Sequence, residues 1–349
     1  RIYIGHIPEY GSLALTGVGV CMPVIMVISA FASMISAGGA PRASISMGKG
    51  DKDHAEMILG GCFALQLLVS AVLTAVLLLW SEDLLLMFGA SENTIGFAMD
   101  YIRIYALGNI CQLTVLGLNT FLTTQGFSSF AMVTTLIGAG LNLILDPILI
   151  YIFDMGVKGA AVATIISQAA SAIWVLWFLI KGKKSILRLR LRNMRLEGRI
   201  CGPCLALGIS GFVMLATEAV LNICFNSSLS RYGGDLAVGA MTIITSVSQL
   251  VTMPLSGICQ GAQPIVSFNY GAGNDERVKK TFRMELLICV SYATAFWAML
   301  MICPTVFASI FNNNPDLVGY TGWAIRIYMA GIFAMGFQLV CQQSFMALG

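Results

Sequence analysis

The sequence predicts an all-α, polytopic membrane protein built from two parallel six-helix repeats. Three observations carry that expectation: a scarcity of charge, charge-free runs long enough to cross a bilayer, and one offset at which the chain matches itself. Only 11% of the 349 residues are Asp, Glu, Lys or Arg, against 57% hydrophobic, whereas soluble domains carry about a quarter charged residues. Mean hydropathy is +0.83. No charge occurs from Met57 to Trp80, Ile104 to Leu145, Ala160 to Ile180 or Leu236 to Asn274. A helix crosses the hydrocarbon with about 20 apolar residues, so each run holds one span or two. This composition excludes an ordinary soluble enzyme, a nucleic-acid binder and a disordered scaffold.

Nine complete spans follow in order, over residues 12–37, 57–80, 97–121, 127–152, 159–180, 204–230, 236–261, 284–309 and 320–346. Turn chemistry separates several of them, as at Gly48-Lys49-Gly50-Asp51, Gly233-Gly234-Asp235 and Asn312 to Asp316. One set of alternate loops holds fifteen basic residues, eight of them between Lys181 and Arg199, while the opposite set holds Lys158 and Arg231. The positive-inside bias therefore places 181–199 in the cytoplasm of a multi-pass cell-membrane protein. Its run Leu187-Arg-Leu-Arg-Leu-Arg192 reads as a loop lying on lipid headgroups, in preference to an RNA contact.

At an offset of 223 residues, Gly38, Pro41, Ser44, Gly48 and Gly50 fall on Gly261, Pro264, Ser267, Gly271 and Gly273, and Ile102 to Tyr105 falls on Ile325 to Tyr328. Internal repeats of this kind build many secondary transporters, with the substrate path at the repeat interface. Six spans separate equivalent helices, and an even number preserves direction, so the repeats are parallel. The expected organisation is an N-terminal lobe over 1–180, a basic linker over 181–199 and a C-terminal lobe over 200–349. On this count the chain is a fragment of a twelve-span protein, lacking the first helix and the last two.

Two acids stand deep inside spans, where an ionisable group marks function by default. Asp146 follows Asn142 by one turn on the same helix face. Pro147 has no N–H, which frees the Leu143 carbonyl. A carboxylate, an amide and a free carbonyl within one turn suit a proton or a hard cation such as Na+. Glu218, Asn222 and Asn226 form a polar stripe at helical spacing, expected to face a cavity that takes cationic substrate. Cys201-Gly-Pro-Cys204 has redox-pair spacing, but it sits where a basic loop enters an apolar helix rather than in a βαβ unit. No Gly-x-x-x-x-Gly-Lys-Ser/Thr run is present, so ATP hydrolysis is not expected.

Leu141 to Ile150 followed by Met155 to Thr164 resembles the fifth and sixth helices of the multidrug and toxic compound extrusion (MATE) family. Arg1 to Pro8 resembles the end of the first helix in its bacterial DinF-like branch, and the paired loops at 38–48 and 261–271 match its two inter-helix loops. The resemblance implies a two-lobed, V-shaped exporter of cationic amphiphiles, monomeric and without a cofactor, driven by H+ or Na+ and working by alternating access. It also implies that Thr164 joins Asn142 and Asp146 in the coupling site, and that Glu218 corresponds to an acid used in another branch. A flippase for lipid-linked saccharides is the nearest alternative, although its anionic cargo would call for a cationic cavity. A membrane thiol oxidoreductase resting on Cys201 and Cys204 is remote.

Overall fold

The computed structural model describes residues 2–5, 11–88, 90–182, 184–311 and 315–349. Within those helices, the side chains of 2, 5, 11, 12, 214–216, 218–220, 222, 223, 226, 227, 230, 233–236, 238 and 242 lie outside the description. The described residues are mostly helical, with no strand among them. Among the described residues twelve α-helices run in chain order: α1 (Ile2–Gly5), α2 (Gly11–Val20), α3 (Met22–Gly48), α4 (Lys52–Met87), α5 (Ile95–Thr124), α6 (Ser128–Pro147), α7 (Gly156–Lys181), α8 (Gly198–Gly271), α9 (Asp275–Ile302), α10 (Pro304–Phe311), α11 (Pro315–Tyr328) and α12 (Met335–Leu348). Among the described residues seven helices are long and apolar enough to cross a membrane, or eight if α11 and α12 count as one broken span.

Several expected elements are redrawn. The span expected over 12–37 is α2 plus α3, joined at Cys21 just before Pro23, whose missing N–H interrupts the hydrogen-bond ladder. The span over 57–80 continues to Met87 past non-helical backbone at Trp80. The helix expected over 284–309 stops at Ile302, because Pro304 opens a new helix, a position where a missing N–H costs nothing. The span over 320–346 bends by 51° where Tyr328 gives way to a 3-10 turn at Ile332–Ala334. At Gly233-Gly234-Asp235 the backbone is helical rather than a turn. Two helical glycines cost about 1 kcal/mol each relative to Ala, too little alone to end a helix. The spans expected over 204–230 and 236–261 thus both lie in α8, of which Gly239–Gly271 is of spanning length and Gly198–Val213 is a shorter apolar stretch.

The chain divides into two compact units, residues 1–46 with 51–212 and residues 47–50 with 213–349. In the first, α5 packs against α4 and α7, and α7 against α6. Its core includes Ile28, Ala32, Ile102, Leu113 and Ala161. In the second, α9 packs against α12 around Val247, Leu255, Leu300 and Ile325.

The offset of 223 reappears in local structure, bond for bond. Gly50 N–H donates to the Met47 carbonyl and Asp51 N–H to that of Ser46, while Gly273 donates to Tyr270 and Asn274 to Asn269. Asp51 caps α4 by accepting from His54 N–H, and Asn274 caps α9 by accepting from Arg277 N–H. Burial keeps the same register, since Ile28, Leu77 and Ile102 are buried in one unit and Val251, Leu300 and Ile325 in the other. Gly50 and Gly273 both adopt positive φ, at 79° and 68°, with nothing near the site of a Cβ. Substitution there meets backbone strain alone. Gly50→Ala and Gly273→Ala should therefore each destabilise by about 1–2 kcal/mol, and Asn by less, in thermal unfolding. Equal stability of the Ala and Asn variants would show that neither turn needs the left-handed conformation.

Candidate functional site

The site expected at the end of α6 is assembled from three side chains on two helices. Asn142 Nδ2 lies 3.2 Å from Asp146 Oδ1 and 3.4 Å from Thr164 Oγ1. The Thr164 hydroxyl donates to the Ala160 carbonyl at 2.9 Å, leaving its lone pairs for the amide. All three side chains are partly rather than fully buried. Asp146 has no basic side chain in a salt bridge among the described residues. Its charge is met there by an amide alone, which does not neutralise it.

Local sequence explains why these groups meet. Pro147 ends α6, and the next five residues, Ile148–Ile152, form a π-helical turn. Such a turn absorbs a missing ladder hydrogen bond, and π-bulges cluster at functional sites. Asp154 then takes a left-handed φ of 52° and Gly156 one of 53°, reversing the chain into α7. Small residues let α6 and α7 approach. A side chain at Gly138 would meet Ser171, whose hydroxyl donates to the Thr134 carbonyl at 2.9 Å, and one at Gly159 would meet the Leu149 carbonyl. One turn beyond Thr164, Gln168 hydrogen-bonds Tyr105, carrying the polar line from the site onto α5.

Other expected residues fare differently. Glu218, Asn222 and Asn226 lie on helical backbone of α8, but their side chains are outside the described residues. Cys201 and Cys204 sit in the first turns of α8, packed on α4: the Cys201 thiol reaches the Gly61 carbonyl at 3.9 Å, and Cys204 hydrogen-bonds Cys62. All the described cysteines are free thiols. Arg103 and Arg326, equivalent in the repeat, are both exposed. Among the amides inside the spans, Asn109 donates to the Ser70 carbonyl and Gln112 to Ser29 Oγ. Gln66 instead packs over Gly117 with both polar atoms unpaired among the described residues.

Two buried acids were missed. Glu56, 1% exposed, opens α4, and Glu285, 5% exposed, hydrogen-bonds Cys259 in the second unit. Glu56 lies among Asp51, Lys52 and Asp53 near the start of α4, and Glu285 follows Arg283 at the edge of the span expected over 284–309, where composition reads as a solvated end. For Glu56 a signal did exist: its repeat partner is Lys279.

With this geometry in hand, comparison with known proteins is informative. The family model described as MatE matches residues 2–148 and 211–349. The chain is 22% identical over 335 residues to multidrug export protein MepA of Staphylococcus haemolyticus (strain JCSC1435), covering 96% of this chain and 73% of that protein. The same protein of Staphylococcus aureus (strain MSSA476) gives the same figures. Among solved structures, a MATE crystal structure in the bent conformation superposes with a TM-score of 0.93 at 23% identity, over 100% of this chain and 76% of that one. The MATE multidrug transporter DinF-BH, solved as a complex, superposes at 0.87 with 29% identity, over 99% and 77%.

Proposed function

This chain belongs to the MatE family and is thus a multi-pass membrane transporter rather than an enzyme, and from that premise we propose that it exports cationic amphiphiles by antiport with H+ or Na+. The observation that carries the reading is the Asn142–Asp146–Thr164 cluster beside the π-turn. A carboxylate in a membrane span that pairs with an amide and with no basic side chain among the described residues is costly unless a proton or cation joins it. Binding at such a group favours whichever conformation surrounds it better, and a ligand shifts an equilibrium only by its differential affinity. Alternating access needs that bias. The arrangement described has Asn142 Nδ2 facing the carboxylate. A sodium ion takes oxygen ligands, as hard cations do, so loading it would require the amide to rotate and offer Oδ1, whereas a proton requires no rotation.

The relatives called multidrug export proteins and the solved structure called a multidrug transporter support the substrate class. Vesicles containing the protein test the reading: a fluorescent lipophilic cation should move against its gradient when a pH or sodium gradient is imposed, and should stop when the gradient is collapsed. Transport indifferent to both gradients would overturn antiport.

Glu218, with Asn222 and Asn226, is assigned to the substrate cavity on its spacing. A carboxylate there attracts cations, so Glu218→Gln should weaken export of a monovalent cation several-fold more than export of a neutral substrate. Equal losses for both, measured in the same vesicles, would give Glu218 a folding role instead.

A further inference from the structure

The segment between α7 and α8 forms an extended strap that is fastened to the first unit. Gln125 Oε1 accepts three hydrogen bonds from it, from Ser185 Oγ at 3.0 Å and from the N–H groups of Ile186 and Leu187, each at 2.9 Å. Leu189 N–H donates to the Leu179 carbonyl. Buried Glu56 accepts from Arg188 N–H at 3.2 Å through Oε1 and pairs with Arg190 Nε at 3.1 Å through Oε2. One turn along α4, a side chain at Gly60 would collide with the Asn193 carbonyl. Leu187 and Leu189 are buried in the unit, while Arg188, Arg190 and Arg192 are exposed.

Past Arg190 the pattern changes. Leu191 is 87% exposed and Leu196 is also exposed, interleaved with Arg192, Arg195 and Arg199. Beneath this tip lies a pocket of about 160 Å³ lined by Met57, Arg192, Asn193, Arg195, Glu197 and Ile200. Its lining combines two arginines and an asparagine with the apolar Met57 and Ile200, and Glu197 leaves it net positive. The repeat shows that this platform is particular to the first unit: Glu56, Met57 and Gly60 become Lys279, Lys280 and Arg283, all basic and none of them buried.

We infer that the strap docks the first unit onto an anionic leaflet, with Arg192, Arg195 and Asn193 holding a phospholipid phosphate in the pocket while Leu191 and Leu196 enter the headgroup region. Charge complementarity favours this occupant, because a cytoplasmic leaflet is anionic and draws basic segments beside membrane spans. Exposed leucines among arginines suit the boundary between headgroup and acyl chain, where apolar side chains gain burial and guanidinium groups stay wet. The strap faces that leaflet by the excess of basic residues in its set of loops. Fastening by Glu56 and Gln125 transmits the docking to α4 and to the connection between α5 and α6.

Amide hydrogen exchange over 190–196 tests this without reference to transport, on the protein in phosphatidylcholine nanodiscs with and without phosphatidylglycerol. Exchange should slow in the anionic discs. Arg192→Gln with Arg195→Gln should weaken the lipid dependence by roughly thirtyfold, taking the contribution of each basic residue near an anionic surface. Leu191→Ser should weaken it less and leave the charge unchanged. Unaltered exchange in α6 and α7 would show that the variants are folded. Equal exchange in both kinds of disc overturns the inference. So does equal slowing in zwitterionic discs by glycerophosphate, which would make this a free-anion site, or by a short RNA.

Discussion

Replacing Asp146 with Asn should abolish gradient-driven export while leaving the protein folded and able to bind its cation cargo. The substitution removes one oxygen and one titrating group but keeps the shape, so the contact with Asn142 across one helical turn has an amide replacement. What it cannot keep is a change of charge. A permanently neutral side chain has the same affinity for protons, or for sodium, in every conformation, namely almost none. The ion gradient then has nothing to act on, because a ligand without differential affinity shifts no equilibrium. Export should fall to the level seen with the gradient collapsed, while equilibrium binding of a fluorescent cation stays within about twofold of wild type, since the carboxylate is assigned to coupling rather than to cargo. Thr164→Val should weaken coupling without abolishing it, because Thr164 contacts the amide and not the carboxylate. An Asp146→Asn protein that pumps at the wild-type rate with the same ion dependence would move the coupling site elsewhere, and Glu218 would be the first place to look.

The spans were legible because hydrocarbon imposes one uniform demand, a long run of apolar residues, and composition alone meets or fails it. The Asn142–Asp146 contact was legible for a related reason: Asp146 interrupts such a run, and Pro147 beside it announces a broken ladder. Breaks within helices were harder. Gly108 and Gly331 are repeat equivalents that both follow Ile-Arg-Ile-Tyr by three residues, yet α5 runs on past Gly108 while the chain bends near Gly331. Gly108 lies against Ile165, whereas nothing stands within 4 Å of the missing Cβ of Gly331. Pro304 was visible, but the apolar run on both sides of it outweighed its punctuation. The strap was half legible. Alternating Leu and Arg marked a two-faced segment, while the acid that fastens it was hidden, because Glu56 stands among charged residues at a helix start. Only the comparison of repeats, Glu56 against Lys279, exposes it.

The start of α8 rests on α3 through a crossing that leaves no room for side chains, and its glycines should be sharply unequal to substitution. Phe31 meets Phe212 with ring centroids 6.1 Å apart. On successive turns a Cβ at Gly208 would run into the Met34 carbonyl, and one at Gly38 into the carbonyl of Cys204. Each glycine thus lies against the backbone of the other helix, the arrangement that small residues permit in membranes, where close packing rather than hydrophobic contrast holds helices together. A methyl group at either position has only backbone to push against, so the helices must separate. Gly202, on the same helix, has nothing within 4 Å of its missing Cβ. Gly208→Ala and Gly38→Ala should each lower the thermal midpoint by roughly 5–10 °C, as overpacking of a close contact does. Gly202→Ala should leave it unchanged or raise it slightly, because Ala is the better helix former by about 1 kcal/mol. Matched shifts at 202 and 208 would mean that helix propensity sets the response and that the crossing yields easily. A fall confined to 38 and 208 would locate the constraint in the contact itself.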